Sequence, residues 1–283
     1  MTTNLLIAIK NIVENPVTNL ISYYGSANRI NNIGEALEFY IKDLFCNSSK
    51  IEGILPKIEA YSEYLSYVGN QNNPPDIMIK GGDAIEVKKL EGKGYGTLAL
   101  NSSYPKDKIS ANSLMITKEC RECEDWVEKD ILYVVGSADS DILKSLWFVY
   151  GDCYAADKDV YERIKNTIST GIKELSDVEF SDTKEFAKIK RVDPLGITDL
   201  RIRGMWHIDT PSKAFNYITT VNHESFLTVN AILLKNKYDS FPETDRLYLE
   251  NLKVDGFSIA DIKIKSPNNP AKLLDAKLIS FVK

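Results

Sequence analysis

A mixed α/β (α+β) architecture, a central β-sheet flanked by helices within one domain spanning residues 1–283, follows from three features of the sequence. The first 70 residues carry a helical period, the chain then changes to a strand period, and two later runs are apolar on both faces. In NIGEALEFYIKDLF the apolar positions Ile33, Leu37, Tyr40, Ile41 and Leu44 share one helix face. A second helix is expected through PKIEAYSEYLSYV, ended by QNNPP at 71–75, where two prolines withdraw backbone donors. DIMIK, the Gly81-Gly82-Asp83 turn and AIEVKKL then read as two short strands joined by a tight hairpin. Further strands are expected at TLALN (97–101), ILYVVGS (131–137) and LWFVYGD (146–152), the last two central because neither shows a polar face. A helical pattern returns from Lys158 to Leu175, and ITDLRIRGMW alternates like a strand, with Ile197, Leu200 and Ile202 among polar neighbours. From SFLTVNAILLKN onward the tail mixes strand and loop, an embellishment of the sheet; no repeat or linker divides the chain.

Composition excludes several classes. With 43% apolar and 27% charged residues, and only 15 glycines and 10 prolines in 283, the chain is neither disordered nor collagen-like. No run of 18 apolar residues occurs and no basic segment precedes the short apolar stretch of MTTNLLIAIKNIVENP, so neither a membrane span nor a signal peptide is expected and the protein is placed in the cytoplasm. Cys46, Cys120, Cys123 and Cys153 are then expected as reduced thiols. A net charge of −5 argues against a surface coated for non-specific nucleic-acid binding. Total charge hides local surplus, however: between Lys188 and Arg203 five basic residues face only Asp193 and Asp199.

The segment richest in chemistry is Pro75-Asp76 followed by Glu86-Val87-Lys88, a PD-(D/E)xK pattern. Strand alternation puts Glu86 and Lys88 on one face, and the hairpin folds Asp76 back beside them. Two hard carboxylates suit Mg²⁺, which keeps open positions for water and phosphate oxygens. The lysine can hold an attacking water or neutralise charge growing on a phosphodiester. The plain alternative is a solvated hairpin with a surface Glu86–Lys88 pair. A third acid, Glu38, lies beside the apolar stripe of the first long helix, with Glu35 as its competitor and an ordinary exposed helix glutamate as the alternative for either.

The stretches NRINNIGEALEFYIKDLF, NPPDIMIKGGDAIEVKKLE, LALNSSYPKDKI, DPLGITDLRIRGMW and IKSPNNPAKLLDAKLISF resemble the NgoPII-type family of type II restriction endonucleases, almost end to end. The resemblance implies a PD-(D/E)xK restriction-endonuclease-like core in a homodimeric, Mg²⁺-dependent nuclease that cuts both strands of a short palindrome, GGCC, in unmethylated double-stranded DNA. It implies a cognate DNA methyltransferase as functional partner. By position it makes Asp76 and Glu86 the metal ligands, Lys88 the catalytic lysine and Glu38 a helper.

For a G·C-rich site the favoured reader is arginine, bidentate to guanine O6 and N7. Arg201 and Arg203 stand two apart on an expected strand and so share a face; phosphate clamping or a salt bridge to Asp193 or Asp199 is the alternative. Asn101, Ser102, Ser103 and Lys106 follow the third strand after the hairpin and are candidate contacts to backbone or base edges near the cut, against a simple capped turn. Other signals are weak. Cys120 and Cys123 have CxxC spacing without a second ligand pair and read as helix cysteines; His207 and His223 lack the partners of an HNH site; Trp206 reads as core; EGKGYG lacks the GK[ST] of a phosphate loop. Two other functions share these residues: a structure-selective nuclease of repair or recombination, and a non-catalytic DNA-binding module.

Overall fold

The computed structural model describes residues 2–28, 33–70, 73–92, 96–101 and 103–283, with the side chains of 25–28 and 101 also left aside. Four helices open the chain: α1 (Leu5–Glu14), α2 (Leu20–Asn28), α3 (Ile33–Cys46) and α4 (Ile54–Tyr64). Asn4 caps α1, its side-chain oxygen accepting from the N–H groups of Leu6 and Ile7. The α3 stripe predicted from the periodicity is buried at Ile33, Leu37, Tyr40, Ile41 and Leu44.

The second predicted helix is shorter than expected. α4 ends at Tyr64, and LSYVGN forms β1 (Leu65–Asn70), antiparallel to β2 (Asn73–Ile79). Alternating large residues after Tyr64 satisfy a sheet edge better than another helical turn. Gly69 allows the pair to close: a Cβ there would lie 2.4 Å from the Pro75 carbonyl oxygen. Pro74 and Pro75, joined by a cis bond, sit inside β2 near register breaks in the β1 ladder, where their missing N–H groups are tolerated.

The predicted hairpin is present. β2 turns through Gly81, at φ 62°, into β3 (Ala84–Glu91), with Ile77 opposite Ile85 and Met78 opposite Ala84. TLALN forms β4 (Thr97–Asn101), but not in the main sheet as expected. After β5 (Lys108–Ser110) and the short α5 (Lys118–Glu122), β6 (Glu128–Asp139) runs parallel to β3 and antiparallel to β7 (Ile142–Tyr150). Both are buried on both faces, as their apolar runs predicted. Gly136 lets α3 pack directly on β6, since a Cβ there would meet Leu37 Cδ2 at 2.7 Å.

A short α6 (Gly151–Tyr154) leads to α7 (Lys158–Lys173), which matches the predicted helix. The expected strand through ITDLRIRGMW is in fact two. β10 (Leu200–Ile202) closes a small sheet with β9 (Ala187–Lys190) and β8 (Glu179–Ser181), whereas β11 (Met205–Asp209) pairs with β4 in a separate ribbon. Gly204 divides them, packed so tightly on Phe186 that a Cβ would stand 2.5 Å from its ring. Ile197 belongs to neither strand and is exposed.

The remainder is α8 (Pro211–Ala214), β12 (Thr228–Leu234), α9 (Lys235–Ser240), α10 (Glu243–Glu250), β13 (Phe257–Lys265) and β14 (Leu273–Val282). The main sheet runs β1-β2-β3-β6-β7-β12-β14-β13, with β5 added beside β6. It is a mixed sheet flanked by helices, a restriction-endonuclease-like fold. Cys120 lies in α5, its sulfur against Met78, and Cys123 caps that helix. Among the described residues no helix is long and apolar enough to cross a membrane.

Candidate active site

β2 and β3 deliver Asp76, Glu86 and Lys88 to one cavity of about 220 Å³, which Asn73, Ser103, Tyr104, Lys106 and Tyr133 also line. Asp76 is fastened to the neighbouring strand: its Oδ2 accepts the Val87 N–H at 2.6 Å. Lys88 Nζ donates to Glu86 Oε1 at 2.6 Å, in a pair whose side chains are 27% and 12% exposed. This is not the solvated pair of the plain alternative. The other oxygen, Glu86 Oε2, is buried without a hydrogen-bond partner. A buried, unsatisfied carboxylate oxygen is costly and marks a place made for something else.

Charge is compressed here. Burial first, and the Glu86 carboxylate second, raise the Asp76 pKa to about 7, against the pull of Lys88 and the Val87 N–H. Burial works against the Lys88 ammonium, yet Glu86 and Asp76 outweigh it and hold the pKa above its ordinary value. Glu38, on α3, is also raised by burial, opposed by Lys42 and Lys88. Its field reaches Lys88 and Asp76, so Glu38 joins the site electrostatically, with Glu35 acting on Glu38 in turn.

Of the predicted DNA contacts, Ser103 and Lys106 line the cavity wall. Asn101 pairs with Met205 in the β4–β11 ribbon, its side chain lying outside the described residues together with Ser102. Ser103, Lys106 and their neighbours thus follow a ribbon strand rather than a third strand of the main sheet. Lys106 is itself 8% exposed. Burial pulls its pKa down to about 8.

Arg201 and Arg203 do reach one spot, but their partner is neither Asp193 nor Asp199. Arg201 donates Nε and Nη2 to Glu185 at 3.1 and 2.9 Å, and Arg203 Nε stands 2.6 Å from the same carboxylate. Asp199 instead pairs with Lys188 at 3.0 Å, and Asp193 accepts the Thr198 N–H. Glu179 approaches Arg191 at 3.6 Å. The basic surplus counted along the chain is therefore largely answered by acids from β8 and the loop after it. Both arginine side chains remain 59% exposed.

Three contributors escaped the sequence reading. Lys42 lies one helical turn after Glu38, buried, its ammonium 4.4 Å from the centre of the Phe39 ring and within the field of Glu38 and Asp76. The i,i+4 spacing from Glu38 was the available signal. Tyr133, opposite Glu86 in the β3–β6 register, accepts the Lys106 N–H at 2.8 Å. Tyr104 stacks on Tyr161 of α7, with Trp206 of β11 edge-on to both. That packing ties α7 and the ribbon to the rim of the cavity, and Trp206 serves it as a packing residue.

A mixed sheet whose adjoining strands carry two carboxylates and an ammonium into one cleft defines a nuclease of the restriction-endonuclease-like class. The sequence model of the NgoPII restriction endonuclease family matches residues 3–265. The chain is 47% identical over 280 residues to the Type II restriction enzyme NgoPII of Neisseria gonorrhoeae, covering 98% of this chain and 99% of that one. It belongs to the NgoPII restriction endonuclease family, and so is a type II restriction enzyme. No solved structure matches the chain.

Proposed function

We propose that this enzyme makes Mg²⁺-dependent double-strand cuts at GGCC in unmethylated DNA, acting as a homodimer in the cytoplasm, with a methyltransferase protecting the same sites. The observation that carries the catalytic part is Glu86 Oε2, a buried carboxylate oxygen without a partner beside a second, half-buried carboxylate. Asp76 and Glu86 would hold the ion, which fits: hard oxygen donors, one of them unsatisfied, facing a polar cavity. When bound, Mg²⁺ supplies Lewis acidity toward water and the phosphodiester.

The chain's own groups do the rest. The Val87 N–H holds Asp76 in place, and Lys88 holds Glu86 through Oε1, so the free oxygen keeps a set direction. Lys88 also brings positive charge to where a pentavalent phosphorus accumulates negative charge. Glu38 and Lys42 add a charge pair from α3 that tunes the field at Asp76. Hydrolysis adds water to phosphorus and returns the proton to the departing 3′ oxygen, leaving a 5′-phosphate and a 3′-hydroxyl.

Recognition is assigned to Arg201 and Arg203, reading guanine in the major groove from a rigid carboxylate mount, with Asn101, Ser102 and Ser103 near the cleaved strand. A two-fold dimer matches a palindrome, which presents the same half-site twice. Digesting a sequenced plasmid with Mg²⁺ and mapping the ends tests the whole reading. Discrete fragments ending within GGCC are expected, and Lys88→Met is expected to bind the same duplex without cutting. Random nicking would favour a structure-selective nuclease; binding without cleavage in Mg²⁺ or Mn²⁺ would favour a non-catalytic module.

A further inference from the structure

Among the described residues, two buried lysines have a carboxylate partner: Lys57 pairs with Asp43 and Lys129 with Glu124. A third, Lys42, lies over the Phe39 ring in the field of Glu38. The fourth, Lys106, borders the catalytic cavity. Its ammonium donates to Ser103 Oγ and to the Tyr104 carbonyl at 3.1 Å, and it lies 4.9 Å from the centre of the Tyr104 ring. All three are neutral, and among the described residues no carboxylate stands within ion-pair distance of it. The field of the Glu86 carboxylate reaches it without an ion pair, and a buried ammonium held directly only by neutral groups is suited to an anion that arrives from outside.

Its placement says which anion. Lys106 lines the cavity that holds Asp76, Glu86 and Lys88, and it also lines a larger cavity of about 630 Å³, along with Ser103 and Tyr104. The two spaces share that wall. A strand cut in the smaller space therefore passes Lys106 where it continues into the larger one. The backbone at Lys106 is anchored from the sheet by the Tyr133 hydroxyl, and Ser103 orients the ammonium. Such anchoring lowers the entropy lost when a phosphate is gripped.

We propose that Lys106 is the receptor for one phosphate of the cleaved strand, at the junction of the two cavities. The assignment rests on the nuclease reading above and sharpens it: the contact is to backbone charge, not to a base edge. Lys106 then places the strand but bears no part in activating water.

The test is a position scan on the full-length enzyme with cleavage suppressed by EDTA. Duplexes carrying the mapped site bear a single neutral methylphosphonate at successive positions, and Kd is measured for the wild type and for Lys106→Met. The variant should bind the unmodified duplex about tenfold more weakly, irrespective of sequence, with the salt slope reduced by about 1. One methylphosphonate should cost the wild type that same factor and the variant nothing, and Lys106→Arg should restore the wild-type pattern. Should Lys106→Met fail to fold, Lys106→Gln reads the same scan. Identical losses in wild type and variant at every position, with cutting by the wild type intact, overturn the Lys106 assignment and leave the nuclease reading standing. A wild type that neither binds nor cuts any duplex overturns both.

Discussion

Replacing Asp76 with Asn should disable the enzyme and stabilise the metal-free protein. Asp76 is raised from 3.8 to about 7 by burial and by Glu86, so the folded state holds its proton through a pH window in which the unfolded chain has lost it. A raised folded pKa contributes stability that is complete below about 4 and is lost as pH climbs through 7. Above pH 7 the full penalty of a second charged carboxylate in the cavity remains. At 1.36 kcal/mol for each pKa unit, the ceiling is about 4 kcal/mol; sharing of charge with Glu86 and Lys88 reduces the expected gain to about 1–2 kcal/mol. Asn keeps an oxygen for the Val87 N–H, so that hydrogen bond survives. In EDTA at pH 8, the Asp76→Asn variant should melt a few degrees above wild type, with the difference shrinking toward pH 5. Added Mg²⁺ should raise the wild-type Tm and leave the variant unmoved. A variant less stable than wild type at pH 8 in EDTA would refute the reasoning, since Asp76 would then be a structural group and not a strained functional one.

Three further outcomes are expected. Asp43, fully buried, accepts hydrogen bonds from Tyr24, Ser48, Tyr61 and Lys57; Asp43→Ala strands those donors and should cost about 3–5 kcal/mol in urea unfolding. Gly69→Ala drives a methyl against the Pro75 carbonyl and should displace β2, lowering Tm and kcat together; wild-type behaviour in both would show that β1 can yield there. Arg203→Ala should relax discrimination at one G·C pair by about 1–3 kcal/mol, read from cleavage of single-mismatch duplexes, with Glu185→Gln loosening both arginines at once. A uniform fall across all sequences would instead assign Arg203 to phosphate.

Much of the site was legible in the sequence because it depends on short-range rules. Alternation along a strand and a tight turn are local, and they suffice to bring Asp76, Glu86 and Lys88 together. The same holds for the α3 stripe and for the paired central strands, whose double-sided apolar runs have few other uses. Where the reading failed, competing long-range terms decided. LSYV left the helix because an antiparallel partner and a glycine at the crossing with Pro75 offered it a sheet edge. RIRGMW split because Gly204 packs on Phe186 and each half found a different partner strand.

Electrostatics shows the division most clearly. Counting charges between Lys188 and Arg203 identified a basic surplus, but Glu179 and Glu185 lie outside that window and come alongside only when the small sheet closes. Likewise, nothing local shows that Lys106 or Lys42 is buried; their burial follows from a wall contributed by distant segments. The sequence by itself determined that Asp76, Glu86 and Lys88 would share one cavity and how neighbouring residues face, because backbone geometry imposes both within a few residues. Only the tertiary structure decided which charges are paired and which are stripped of water, because desolvation depends on what the rest of the chain packs around them.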